Sequence, residues 1–221
     1  MLPLESALFV TASRHRLGVP DSADDTWCPQ CNGILDRFSL HAATCAAGGE
    51  RTLRHHAVRG IRHRWAERAG LHPEREKPGL ILPQRPEDTS VGRRRPANVF
   101  VPSLSGVPTA FDIAITAPQW SESLRDAGCK AGAAADSYSE VKAAHLNTPQ
   151  ICESQGVRFL PLVVASTGAW SSLASHTLQL VARAAAAARE KEECSLLQQP
   201  FARIVCHCPA LPGPGSASAA G

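Results

Sequence analysis

Eighteen residues, CPQCNGILDRFSLHAATC, carry four side chains that suit a metal: Cys28, Cys31, His41 and Cys45. Two residues separate the first pair, nine follow before the histidine, and three more before the last thiol. Thiolates and one imidazole at these gaps match a closed tetrahedral zinc site. Cys28 and Cys31 would sit on a tight knuckle containing Pro29. His41 and Cys45 stand four apart, so one helical turn offers both to one ion. Phe38 would supply the segment's small core. With all four positions filled by protein, the zinc is structural rather than catalytic, and its binding would contribute on the order of 10 kcal/mol to folding.

A second group of polar residues lies further along. Asp112 stands in AFDIAIT between Phe111 and Ile113, so its carboxylate emerges from an apolar strand. That position is costly unless the group is paired or bound to a cation. Asn98 occupies the strand before it. Glu74 and Glu76 precede that strand, and Tyr138 and Lys142 share a helix face at i, i+4 spacing. Acids converging on a sheet beside a lysine suit metal-assisted phosphodiester cleavage. Magnesium takes hard oxygen ligands and keeps water positions open, and a lysine steadies the developing charge. The alternative reading of each is plainer: Asp112 as a hydrogen-bonded strand residue, Lys142 as a surface lysine, Glu76 as a loop acid.

The chain has 221 residues, of which 43% are hydrophobic, enough for a real core. Residues 3 to 17 predict a short helix stopped by Gly18 and Pro20, and SADDT reads as a polar link. Residues 50 to 69 predict an amphipathic helix with Val58, Ile61, Trp65 and Ala69 on one stripe and Gly70 as its cap. Apolar runs at 79 to 82, 97 to 101 and 110 to 116 predict three strands. Residues 121 to 146 read as helix, broken near Gly128 and Gly132. RFLPLVV at 158 to 164 reads as a buried strand despite Pro161. A last helix begins at an N-cap of Ser171 or Ser172 and runs to about Glu193. The expected organisation is a helix and linker over 1–26, a finger over 27–49, an α/β domain over 50–193 and a flexible tail over 194–221. CHCP at 206 to 209 reads as free thiols in that tail.

Net charge is +3, but residues 51 to 68 hold six arginines and three histidines against Glu67 alone. This local density suits a phosphate backbone. Arg51, Arg54, His55, Arg59, Arg62 and His63 therefore read as a nucleic-acid-binding face, for DNA first and RNA as a second partner. Arg93, Arg94 and Arg95 form a smaller basic knot. Eight cysteines without a secretory signal, and no apolar run near the ~18 residues of a membrane span, point to a reducing interior, nuclear or cytoplasmic.

The succession of the Cys-Cys-His-Cys finger, GGERTLRHHAVRG, EKPGLILPQRP, RRRPANVF, FDIAIT, YSEVKAAHL and QGVRFLPLV resembles the C-terminal region of retroelement proteins. It is similar to the zinc knuckle and restriction-like endonuclease of site-specific non-LTR retrotransposons, over roughly residues 18 to 175. The resemblance implies a PD-(D/E)xK core in the order αβββαβ, which agrees with the helix and strand order read from pattern. It places Asp112 at the second acidic magnesium-ligand position and Asn98 at the first, where an aspartate is expected. The lysine usually found two residues after Asp112 is replaced by Ala114. In this branch it lies on the following helix, which makes it Lys142, with Tyr138 or His145 beside it. Glu76, with Glu74 second, would be the early acid.

The resemblance implies a magnesium-dependent nuclease that nicks DNA to prime reverse transcription, weakened or silenced by Asn98. The polymerase portion would lie upstream, which makes this chain a terminal fragment. A non-catalytic nucleic-acid-binding module and a zinc-dependent protein-interaction domain are the competing expectations.

Overall fold

Alternation of side chains along two adjacent strands decides which residues meet which layer. The computed structural model describes residues 6–83, 95–119 and 121–189. Its centre is a four-stranded mixed sheet of β3 (Glu74–Arg75), β4 (Val99–Leu104), β5 (Val107–Thr116) and β6 (Arg158–Ala165), in that order. The first three run antiparallel in sequence, and β6 joins β5 in parallel. Val99, Val101, Phe111 and Ile113 point to one face. There they meet Val58, Ile61 and Trp65 of α3 (Glu50–Arg68) and Leu178 of the final helix, Ser172–Arg189. The intervening residues, Phe100, Ala110 and Ala114, face the opposite side. Period-two geometry therefore sends Asp112 to that second face.

Ahead of the sheet come α1 (Ser6–Leu17) and a ββα finger of β1 (Thr26–Trp27), β2 (Ile34–Leu35) and α2 (Leu40–Thr44). Between β5 and β6 lie α4 (Ser121–Cys129), α5 (Ala133–Ala144) and α6 (Thr148–Glu153), and the final helix is α7. The expected break near Gly128 and Gly132 falls at residues 130–132, between α4 and α5. Gly132 adopts a φ of +86°, and a Cβ there would come within 2.8 Å of the Trp170 carbonyl oxygen, so no other residue fits without a shift. As the sheet's edge, β6 tolerates Pro161, which has no N–H to give.

One expected strand is misplaced. Residues 79 to 82 form no strand; β3 is Glu74–Arg75, paired with Val99 and Phe100. Leu80 and Ile81 are buried all the same, packed with Phe100 and Ala110. The Gln155 amide takes the place of a strand partner, accepting the Leu82 N–H at 3.0 Å and donating to its carbonyl at 3.2 Å. The last residues of the expected helix beyond 189, the 194–221 tail, CHCP, Arg93 and Arg94 lie outside the described residues.

The start of α7 follows expectation and adds a partner. Ser171 accepts the Ala174 N–H on its hydroxyl at 3.2 Å, which makes it the N-cap. Asp136 of α5 then takes the Ser172 N–H at 2.6 Å and the Ser172 hydroxyl at 3.1 Å, with Lys130 3.3 Å away. Burial raises the Asp136 pKa, but the Ser172 N–H, the Lys130 ammonium and the Ser172 hydroxyl together outweigh it and hold the carboxyl below its ordinary value. A depressed carboxyl stabilises the fold above its unfolded pKa of about 4, and loses that contribution as pH falls through the folded value. Asp136→Ala is expected to cost about 1–2 kcal/mol at neutral pH in urea unfolding. The difference from wild type should shrink in acid. Equal stabilities at neutral pH would remove this cap from the account.

Candidate functional site

The metal centre is built by short-range hydrogen bonds. The knuckle closes through the Cys28 N–H, which donates to the Gly33 carbonyl at 2.9 Å, and the Gly33 N–H, which approaches the Cys31 sulfur at 3.3 Å. Asp36 then organises the helix that carries the histidine. Its carboxylate accepts the N–H groups of Phe38 at 3.0 Å, Leu40 at 3.1 Å and His41 at 2.6 Å. Cys45 follows α2 directly and donates its N–H to the His41 carbonyl at 2.7 Å.

The four ligand atoms of Cys28, Cys31, His41 and Cys45 lie within 4.8 Å of one another. Cys31 Sγ stands 3.2 Å from His41 Nε2 and 3.8 Å from Cys45 Sγ. Tetrahedral zinc at about 2.3 Å from each sulfur separates sulfurs by about 3.8 Å. The donor set and its spacing fit zinc. The Gln30 N–H draws the Cys28 thiol down to about 7 against the opposing effect of burial, with His41 and Cys31 helping. Burial pushes Cys45 up. Gly33 has no room for a side chain, since a Cβ would stand 2.6 Å from His41 Cε1 and 3.3 Å from Cys31 Sγ. Sequence reading missed Gly33 and Asp36; an aspartate just ahead of LHAAT was the available signal for the second.

The finger does not begin cleanly after residue 26. Asp21 accepts the Ser39 hydroxyl at 3.1 Å, and Asp25 accepts the Arg37 N–H at 2.9 Å. The expected linker is thus bound into the finger.

Beside the finger lies a cavity of about 570 Å³. Asn98, Asp112, Tyr138 and Lys142, far apart in sequence, all line it. Lys142 Nζ is 3.0 Å from Asp112 Oδ2, in a pair that is mostly shielded from solvent. Asn98 spends its side-chain oxygen on the Ile113 N–H at 2.5 Å, while its own N–H donates to the Phe111 carbonyl at 2.9 Å. The side-chain amide thus bonds to the same strand that carries Asp112.

Glu76 does not join them. Its carboxylate is held by Arg59 and by Arg95, the latter at 3.0 Å, on a left-handed backbone of φ 45°. It clasps α3 to the segment ahead of β4. Glu74, the second choice, pairs with Lys77 at 2.7 Å. His145 is exposed and is not in the cavity wall.

The expected basic face of α3 is split. Arg51, Arg54 and His55, in its first turns, line the cavity, and His55 Nε2 lies 3.0 Å from the Ile113 carbonyl oxygen. Arg59 is taken by Glu76. Arg62 is buried, its guanidinium 4.2 Å from the Trp65 ring centre and 4.5 Å from that of Trp170. Burial lowers its pKa to about 9. His63 is also buried, 3.5 Å from Glu67. Arg59, Arg62 and His63 are therefore not part of an exposed binding face. The helix packs against α7 as well as the sheet, so its buried arc is wider than the apolar stripe suggests.

Magnesium, the ion the resemblance implies, does not fit these residues as they stand. Asp112 is the cavity's one carboxylate and is already matched to Lys142, and the Asn98 oxygen is already occupied. Among the described residues no second cluster of three or more His, Cys, Asp or Glu ligands gathers anywhere. No helix among them is long and apolar enough to cross a membrane. Neither a protein-family model nor a curated protein matches the chain.

Proposed function

We propose that the chain is a nucleic-acid-binding endonuclease domain of retroelement type, with a zinc finger and a cleavage site weakened or silenced at Asn98. The observation that carries this reading is the meeting of Asn98, Asp112, Tyr138 and Lys142 in one cavity whose other wall is the basic start of α3. The order α3, β3, β4, β5, α5, β6 supports a PD-(D/E)xK core, with α4 added before α5 and α6 before the parallel last strand. Arg51, Arg54, His55 and Lys142 would hold the strand's phosphates, for DNA first and RNA second. Asp112 stands where the resemblance expects the second acidic position, paired here with Lys142. A nuclear or cytoplasmic setting belongs to the same reading, since thiols that hold zinc must stay reduced.

Salt tests it. Binding of the zinc-loaded protein to labelled duplex DNA should weaken with salt, log affinity falling by about 0.9 per phosphate neutralised for each unit of log concentration. With RNA a shallower dependence is expected. Absence of binding to either at about 50 mM salt would leave the zinc-dependent protein-interaction domain as the surviving reading.

A further inference from the structure

The cavity's charge has the wrong sign for a magnesium site and the right sign for an anion. Arg51, Arg54 and Lys142 bring three cations to a space lined by one carboxylate, Asp112, and Lys142 already matches that carboxylate. Two guanidiniums are left over. Arg51 is exposed, but Arg54 is only 9% exposed, and no hydrogen bond or ion pair satisfies its side chain among the described residues. None of its nitrogens is among the buried, unbonded side-chain atoms, so the guanidinium of this largely covered residue reaches the solvent of the cavity. Arg62 on the same helix is stacked between Trp65 and Trp170, with its three guanidinium nitrogens buried and unbonded among the described residues. Arg54 has no such rings, and lines the cavity instead.

We propose that the cavity is a phosphate-binding site that works without a divalent ion, with Arg54 as its buried anchor. Arg51 and Lys142 flank the phosphate, and the Tyr138 ring stands in the same wall, where a base can stack. The phosphate belongs to a nucleic-acid strand, a step that rests on the function proposed above. Free phosphate offers the same chemistry and is separated by experiment.

The test uses the zinc-loaded full chain and a fluorescein-labelled single-stranded oligonucleotide, followed by anisotropy at low salt with and without added magnesium. Binding should need no magnesium, and the added ion should weaken it only as salt does. Arg54→Gln should weaken it roughly ten- to a hundredfold. Arg54→Lys should recover part of the loss, and Arg64→Gln, at an exposed site on the same helix, should stay close to wild type. If Arg54→Gln disturbs folding, seen as reduced helicity or zinc content, the Arg54→Lys variant and competition by inorganic phosphate carry the test. Binding that appears only with magnesium, or that ignores both Arg54 variants, overturns the phosphate site and leaves the nucleic-acid reading standing. Inorganic phosphate that shifts the Arg54 side-chain NMR signals while no oligonucleotide binds does the reverse. Failure of both ligands to bind removes both.

Discussion

Cys31→Ser or Cys45→Ser is expected to abolish stoichiometric zinc binding and to unfold residues 26–46, at a local cost on the order of 10 kcal/mol. The finger has almost nothing else to hold it. Ala43 is its one buried apolar side chain, while Trp27 and Ile34 are mostly exposed. Its two strands are two residues each. The backbone N–H groups that donate to Asp36 order the turn that carries His41, but they do not join the two halves of the ligand set. The sheet should survive, because its core draws on α3, α7 and the strands and includes no finger residue. Limited proteolysis should therefore cut the finger and spare residues beyond α3. Cobalt substitution should give a thiolate charge-transfer band in wild type that weakens in each variant. The damage should also reach the cavity, since Ala43, Thr44 and Ala46 form part of its wall. A Cys45→Ser protein that keeps one tightly bound zinc and resists protease would sink this account.

What sequence could and could not reveal follows from where each constraint originates. The zinc ligands were legible because all four lie within eighteen residues and the chemistry fixes their spacing. The stripe Val58, Ile61, Trp65 and Ala69 was legible because helical period is a local property, and all four are buried. Strand β3 was not legible, because Glu74 and Arg75 form a strand only through the hydrogen bonds that β4 offers. The more apolar stretch at 79 to 82 attracted the assignment, yet its burial required only a hydrophobic surface to cover.

The binding residues divide in the same way. Arg54 and Arg62 are the same residue type two turns apart on one helix. One opens on the cavity, and the other is enclosed by Trp170, which arrives from far along the chain. Nothing near position 62 announces that enclosure. Glu76 is a similar case, since an acid placed to bind a metal and an acid placed to bind arginines look alike in sequence. Arg59 and Arg95 decide between them. Asp112 and Lys142 meet at 3.0 Å because strand alternation sends one, and helix spacing the other, to the same cavity.

Asn98→Asp is expected to bring magnesium-dependent nicking of supercoiled plasmid up by at least about tenfold over wild type. Aspartate has nearly the shape of asparagine, so one carboxylate oxygen can keep the Ile113 N–H that Oδ1 now accepts. The other oxygen then replaces the amide nitrogen and places a second negative charge in the cavity with Asp112. At about 4 Å and an effective dielectric near 20, a unit charge pair is worth ~4 kcal/mol, and a dication about doubles that. Desolvation offsets part of the gain, but what is left exceeds the 1.36 kcal/mol that a tenfold change in rate requires. Without magnesium the two carboxylates repel, so the variant should melt below wild type and regain stability when the ion is added. Asp112→Ala, by contrast, should remove nicking altogether and leave Lys142 without its counter-ion. An Asn98→Asp protein that folds and binds DNA, yet neither nicks nor gains stability from magnesium, would show that position 98 supports β5 and has no share in holding a metal.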